Sequence, residues 1–270
     1  MQLGPDGARY LLAGRGERVA RPFHLRWLLP YLCRDNLSRW RAVWLASWAL
    51  TAVGMFSWSY QRTDDWCVAG AATAFLIALP GLLGPQVVRP VGVDLPAVAL
   101  SVTAVALLER GWWPAAVALI LVAGCVKETS PVFAALWAWH PILLVGLVAP
   151  LVRGIFWRPQ LDQVTAMPNL REVHDHPVRT ALQAHDWRDA WTMVAPWGIC
   201  LAALYAPTWP LVAVLIVAYL QLLVATDTVR LLHTAAGPPV ALAAAFVIPA
   251  PFLLLAVAVH VVWWQKPEFV

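Results

Sequence analysis

The chain has 270 residues and a formal net charge of +4, with 61% of residues hydrophobic and 13% charged, against roughly a quarter charged in an average soluble domain. That composition excludes an ordinary cytoplasmic globule. Lysine occurs only at Lys127 and Lys266 and the other basic residues are arginines dispersed between apolar runs, which excludes an exposed basic stripe and with it a nucleic-acid partner. The cysteines Cys33, Cys67, Cys125 and Cys200 fall singly, so neither a zinc site nor a disulfide framework is expected. The first 41 residues carry eight arginines and no unbroken apolar region, which argues against a cleavable signal peptide.

Uncharged intervals mark expected membrane spans, because an ionisable group at the bilayer centre costs about 2.5 to 3.5 kcal/mol on insertion scales. Runs 42–61 and 66–88 are each long enough to cross a core of about 30 Å. Runs 95–108 and 111–126 are shorter and are expected as a tight hairpin turning at Glu109-Arg110-Gly111. Run 129–152 reads as one further span. The polar stretch 153–189 follows, with five arginines. Run 190–226 is twice a bilayer thickness and breaks at Pro207-Thr208-Trp209-Pro210, giving a two-helix hairpin. The last run, 231–265, carries Pro249-Ala250-Pro251, either a kink or a turn between two helices.

The expected fold class is therefore all-α: a polytopic integral membrane helical bundle with about eight transmembrane helices, nine being the alternative, in a multi-pass cell-membrane protein. Its regions are an N-terminal amphipathic loop segment 1–41, a five-helix membrane region 42–152 with the short hairpin at 95–126, a polar loop 153–189 and C-terminal membrane helices 190–270. Eight spans put the arginine-rich segments 9–41 and 153–188 on opposite sides, with basic residues divided too evenly for the positive-inside bias to orient the chain. Tryptophans 40, 44, 48, 58, 112, 113, 263 and 264 cluster near helix ends, where indoles prefer the membrane interface.

Candidate chemistry starts at Asp6 and Tyr10, which share one face of a helix; Asp6 suits a general base at a membrane surface, or a plain helix cap. Asp94 heads one short helix and Lys127-Glu128-Thr129 follow the next, and a hairpin returns both to one boundary, together with Asp6. They suit a convergent site or solvated helix ends. His174-Asp175-His176 with His185 invites a metal site, but a histidine-rich solvated loop is the simpler account and no metal site is assigned. His140, His233 and His260 sit in or beside apolar runs and are expected to hydrogen-bond to backbone or neighbouring helices.

The order Asp-x-x-x-Tyr, Pro-Phe-x-x-Arg-x-x-x-Pro, an aspartate opening a short helix and Lys-Glu-Thr after the returning helix resembles the GT-C superfamily of polytopic glycosyltransferases. It covers roughly residues 5 to 150, with a weaker echo at Asp227-Thr228-Val229-Arg230 followed by Pro238. The resemblance implies hexosyl or pentosyl transfer from a polyprenyl-phosphate sugar to an unidentified acceptor on the extracytoplasmic side. It implies Asp6 as catalytic base, and Tyr10, Arg26, Asp94, Lys127, Glu128 and Arg230 as substrate-binding, with Arg26 approaching the donor phosphate. The lipid bilayer and the donor are the implied partners; no cofactor is expected, and a divalent metal is not supported. The match is to a short member, truncated or degenerate, without the membrane helix that usually precedes the aspartate. The alternative from another class is a non-catalytic membrane accessory subunit or a small transporter.

Overall fold

A computed structural model describes residues 5–20, 22–82, 91–157, 175–184, 190–223 and 228–263. Every regular element among them is helical. Two short helices, α1 (Pro5–Gly14) and α2 (Leu28–Cys33), lead into the long α3 (Leu37–Thr63). Asn36 starts α3 by accepting from the backbone N–H groups of Ser38 and Arg39 at 3.0 and 3.1 Å, donors that the first turn leaves unpaired. Asp64 ends it in the left-handed region at φ 50°, and Asp65 caps α4 (Trp66–Ala78) through the N–H groups of Cys67 and Val68. One left-handed residue and one side-chain cap thus define the tight turn from α3 to α4.

The expected short hairpin is present as α5 (Asp94–Glu109) and α6 (Trp113–Val126). Gly111 makes its turn at φ +79°, a conformation that costs glycine little. At the far end of this hairpin Glu109 receives Arg62 and the Trp58 indole N–H, the latter at 2.9 Å, which locks α3 to α5.

Run 129–152 is not one span, contrary to the sequence expectation. It forms α7 (Ser130–Ala138), a 3-10 helix at Pro141–Leu147 and α8 (Val148–Phe156). Trp139 sits at φ 52°, and His140 is extended and accepts from the Ile142 N–H at 3.2 Å, so the chain reverses there and the 3-10 helix packs back on both α6 and α7. At Gly124 of α6 an added Cβ would collide with the Gly146 carbonyl, so this contact needs glycine. The reversal has a topological consequence: Arg153 returns to the N-terminal segment, its Nε donating to the His24 carbonyl at 3.4 Å. Arg153 and the stacked Trp157 thus lie at the same end of the bundle as the N-terminal segment and not at the opposite end, as a single helix over 129–152 would have placed them.

The remainder comprises α9 (Pro177–Ala184), α10 (Ala190–Val194), 3-10 turns over Ala195–Tyr205 interrupted at Gly198, α11 (Trp209–Leu220), α12 (Thr228–Val247) and α13 (Ala250–Trp263). The break at 207–208 matches the expected two-helix hairpin, and at Pro249 the chain turns between two helices rather than kinking within one. The main core lies among α3 to α7 and α11 to α13, with Trp58, Phe75, Ile120 and Leu232 fully buried. A second, smaller core under α1 and α2 holds Tyr10, Phe23, Leu29, Trp40 and Val93. It fixes the N-terminal helices across one end of the bundle.

Of these helices only α3, with 27 residues and a mean hydropathy of 1.2 over its apolar window, is long and apolar enough to cross a membrane by itself. The all-helical class is thus established, whereas eight separate spans are not.

Candidate functional site

Helical spacing places Asp6, Arg9 and Tyr10 on one face of α1, three and four residues apart. Tyr10 is buried, its ring packed against Phe23 at 5.4 Å and Trp40 at 6.2 Å, so its hydroxyl can only point inward along the bundle end. There it accepts from Arg26 Nη1 at 3.1 Å. The same guanidinium grips Glu128 with a two-point fork, Nε to Oε2 at 2.8 Å and Nη2 to Oε1 at 2.7 Å. A planar fork matches a carboxylate in this way and a lysine would not.

Asp94, the first residue of α5, accepts from Lys127 Nζ at 2.6 Å, where Lys127 stands in extended backbone just past α6. Its other oxygen lies 3.4 Å from Arg230 Nη1. Arg230, in the first turn of α12, reaches onward with Nη2 to donate to Asp6 Oδ2 at 2.9 Å. Asp6 is closed from its other side by Arg9 at 3.6 Å, and the Arg9 guanidinium stacks over Phe23 at 4.7 Å.

The seven residues singled out from sequence, Asp6, Tyr10, Arg26, Asp94, Lys127, Glu128 and Arg230, therefore meet at one end of the bundle as a network of two adjoining clusters, Arg26 with Tyr10 and Glu128, and Arg230 with Asp6, Asp94 and its partner Lys127, within electrostatic reach of each other. It draws on the N-terminal segment, α5, the α6–α7 turn and α12. Arg9 belongs to it too and was missed; its signal was the spacing of three from Asp6 on one helical face. Asp227 and the histidines His174 and His185 lie outside the described residues. His176 is exposed at the start of α9, in a helical context rather than on the alternating face of a strand. Among the described residues no group of three His, Cys, Asp or Glu side chains could hold a metal ion. His140 and His233 have the expected backbone partners, His233 Nδ1 accepting from the Gly81 N–H at 2.9 Å, while His260 packs edge-on against the Phe75 ring.

Burial and pairing oppose each other in the network. Burial by itself raises the Glu128 carboxyl, but the Arg26 charge and its hydrogen bonds outweigh this and hold it below the ordinary glutamate value. Burial likewise works against the Arg26 charge, and Glu128 more than compensates, so the guanidinium is held more firmly protonated than usual. The Tyr10 phenol is pushed well up, first by burial, with Arg26 pulling the other way. It is a neutral hydrogen-bonding partner, not a base.

The three carboxylates differ in access. The Asp6 side chain is 31% exposed, Glu128 18% and Asp94 8%. Asp6 is thus the most accessible of the three, while Asp94 and Glu128 are held against Lys127 and Arg26. Arg26 departs from the expectation of a phosphate contact, because its fork is occupied by Glu128 and its remaining amino group by Tyr10.

Comparison with known protein families, with characterised proteins and with solved structures returns no match. The GT-C likeness thus rests on the order of the motifs alone.

Proposed function

We propose that the protein is a polytopic membrane glycosyltransferase of GT-C type, transferring a sugar from a polyprenyl-phosphate donor to an acceptor hydroxyl. The observation that carries this reading is the convergence of an accessible aspartate with buried, paired carboxylates and cations at one end of an apolar helical bundle. Membrane embedding is supported by large apolar side chains turned outward from several helices, among them Val53 at 64%, Ile155 at 74%, Phe246 at 69% and Leu254 at 86% exposure. On this reading Asp6 takes the acceptor proton as the acceptor oxygen bonds to the sugar's anomeric carbon. The bond from that carbon to the phosphate oxygen breaks, and the phosphate leaves with the electron pair. Arg230, beside Asp6 and 26% exposed, gives the departing charge cationic support. Arg26, Glu128, Tyr10, Lys127 and Asp94 position these two.

The test is transfer of labelled sugar by the purified protein from a polyprenyl-phosphate donor. Asp6→Asn should abolish turnover with the melting temperature preserved, since the amide still accepts from Arg230 but cannot take a proton. Undiminished turnover in that variant would overturn the assignment.

A second reading, a non-catalytic accessory subunit, is favoured by the charge distribution. The described arginines between positions 9 and 41, together with Lys127, Arg153 and Arg230, gather at the network end, while Arg62 and Arg110 lie at the other, beside Glu109. The positive-inside bias assigns such an end to the cytoplasm, whereas the resemblance implies sugar transfer outside it. The side of the membrane that bears Asp6 therefore separates the two readings.

A further inference from the structure

Beside the network, separated from it by the Phe23 ring, lies a cleft of about 340 Å³ between the loop after α1, α2 and the end of α8. That volume falls in the range of small-molecule sites, about 300 to 1,000 Å³. Phe23 forms part of its wall, and the same ring carries the Arg9 and Arg26 guanidinium groups at 4.7 and 5.4 Å, so the two spaces are neighbours and not one site.

The cleft is dominated by Arg153. Its guanidinium lies 3.7 Å from the centre of the Trp157 ring and 5.8 Å from that of Trp27, and its Nε is held by the His24 carbonyl. Stacking and one hydrogen bond fix the plane of the fork, while both terminal amino groups stay without a carboxylate among the described residues. This is the reverse of Arg26, whose fork is filled by Glu128. Arg18 lines the same cleft as a second cation, against Glu17 as its one carboxylate. The surroundings are apolar and outward-facing: Ile155 and Phe156 are 74% and 77% exposed, and Tyr31 and Leu32 are 64% and 52% exposed.

We propose that this cleft binds the phosphodiester of an anionic bilayer phospholipid, with Arg153 forking the phosphate between Trp27 and Trp157 and the acyl chains lying along Ile155, Phe156 and Leu32. Guanidinium forks match phosphate oxygens bidentately, and indoles settle at headgroup depth. The lining argues for a phospholipid over a sugar phosphate. It offers no serine, threonine, asparagine or glutamine to hold several hydroxyls, and its one carboxylate sits on an exposed loop residue. The site rests on the membrane embedding proposed above and not on sugar transfer; loss of transfer in Asp6→Asn leaves it untouched.

The experiment is native mass spectrometry of the full chain released from detergent and titrated with phosphatidylglycerol, phosphatidylcholine, undecaprenyl phosphate or inorganic phosphate. Phosphatidylglycerol should bind in preference to phosphatidylcholine, and Arg153→Gln should weaken it about tenfold, the scale of one lost charge-assisted fork. Arg153→Lys should recover only part, because a point charge replaces the fork. Asp6→Asn should leave binding unchanged. Should Arg153→Gln fail to fold, Arg18→Gln on an exposed side chain replaces it and should weaken phosphatidylglycerol several-fold. Equal binding by the variants overturns the site. So does displacement of the phospholipid by undecaprenyl phosphate, which would make the cleft a donor site, or by inorganic phosphate at similar concentration, which would make it a simple anion site.

Discussion

At the residue scale the Arg26–Glu128 pair carries the most stored consequence. Its side chains are 13% and 18% exposed, so removing one partner leaves the other nearly buried and unmatched. Glu128→Ala should cost about 3 to 5 kcal/mol of stability, read by denaturant unfolding in detergent, while the double change Arg26→Met with Glu128→Leu should return most of it. A single-variant loss below about 1 kcal/mol would mean that the pair is screened like a surface ion pair. The pH dependence follows from the same contacts. Because Glu128 is held below its unfolded value, its contribution is complete above the ordinary glutamate range, near pH 4.3, and is lost as pH falls through the depressed folded value. Tyr10 acts at the other limb: its raised folded value makes its contribution complete below about pH 10 and lost as pH rises beyond that. Glu128→Gln should flatten the acid limb and Tyr10→Phe the alkaline one, in melting temperatures followed across pH. Asp94, Lys127 and Glu128 were legible because charges are rare in this chain and these bound apolar runs, whereas Asp6 and Tyr10 came from helical spacing and Arg26 and Arg230 from the family resemblance alone. What was not legible was the pairing. Nothing in the order of motifs tells whether the Arg26 fork is open to a ligand or filled by Glu128.

At the element scale the helix ends were read more securely than the returns between them. Charge-bounded runs located α3, α5, α6 and the break between the 195–205 turns and α11, because an ionisable residue or paired prolines marked each boundary. The reversal after α7 was hidden because Trp139 and His140 are uncharged and no glycine marks the left-handed position. The one available signal was Pro141, since the residue before proline avoids helical backbone, and His140 is indeed extended. The close contact that this reversal creates gives a second test. Gly124→Val should lower the melting temperature strongly or prevent folding, because its side chain would drive into the Gly146 backbone. Gly70→Ala, with open space at its Cβ, should be neutral or slightly stabilising. Equal effects of the two would sink the packing argument.

At the scale of the whole molecule the chain has a basic end and a nearly uncharged waist. On the membrane embedding proposed above, single cysteines at positions 15 and 153, in a cysteine-free background, should react with an impermeant reagent from one side of the membrane, and those at 64 and 110 from the other. Labelling of 15 and 153 from opposite sides would refute the return after α7. The all-helical class was legible from composition and run lengths, whereas the side on which 153 falls depended on a single uncounted reversal, and every later segment inherits such an error. Arg230 bears on how the chain is made. It bridges Asp6 and Asp94 from a position 224 residues after the first, so during synthesis both carboxylates emerge long before the cation that bridges them. Until α12 is in place, the two acids wait without their shared partner, and long-range closure of this kind is slow to form. The bridge should thus close only after α12 is made: chains stalled before that helix can seat the N-terminal helices on their own core, with Asp6 and Asp94 held by Arg9 and Lys127 alone.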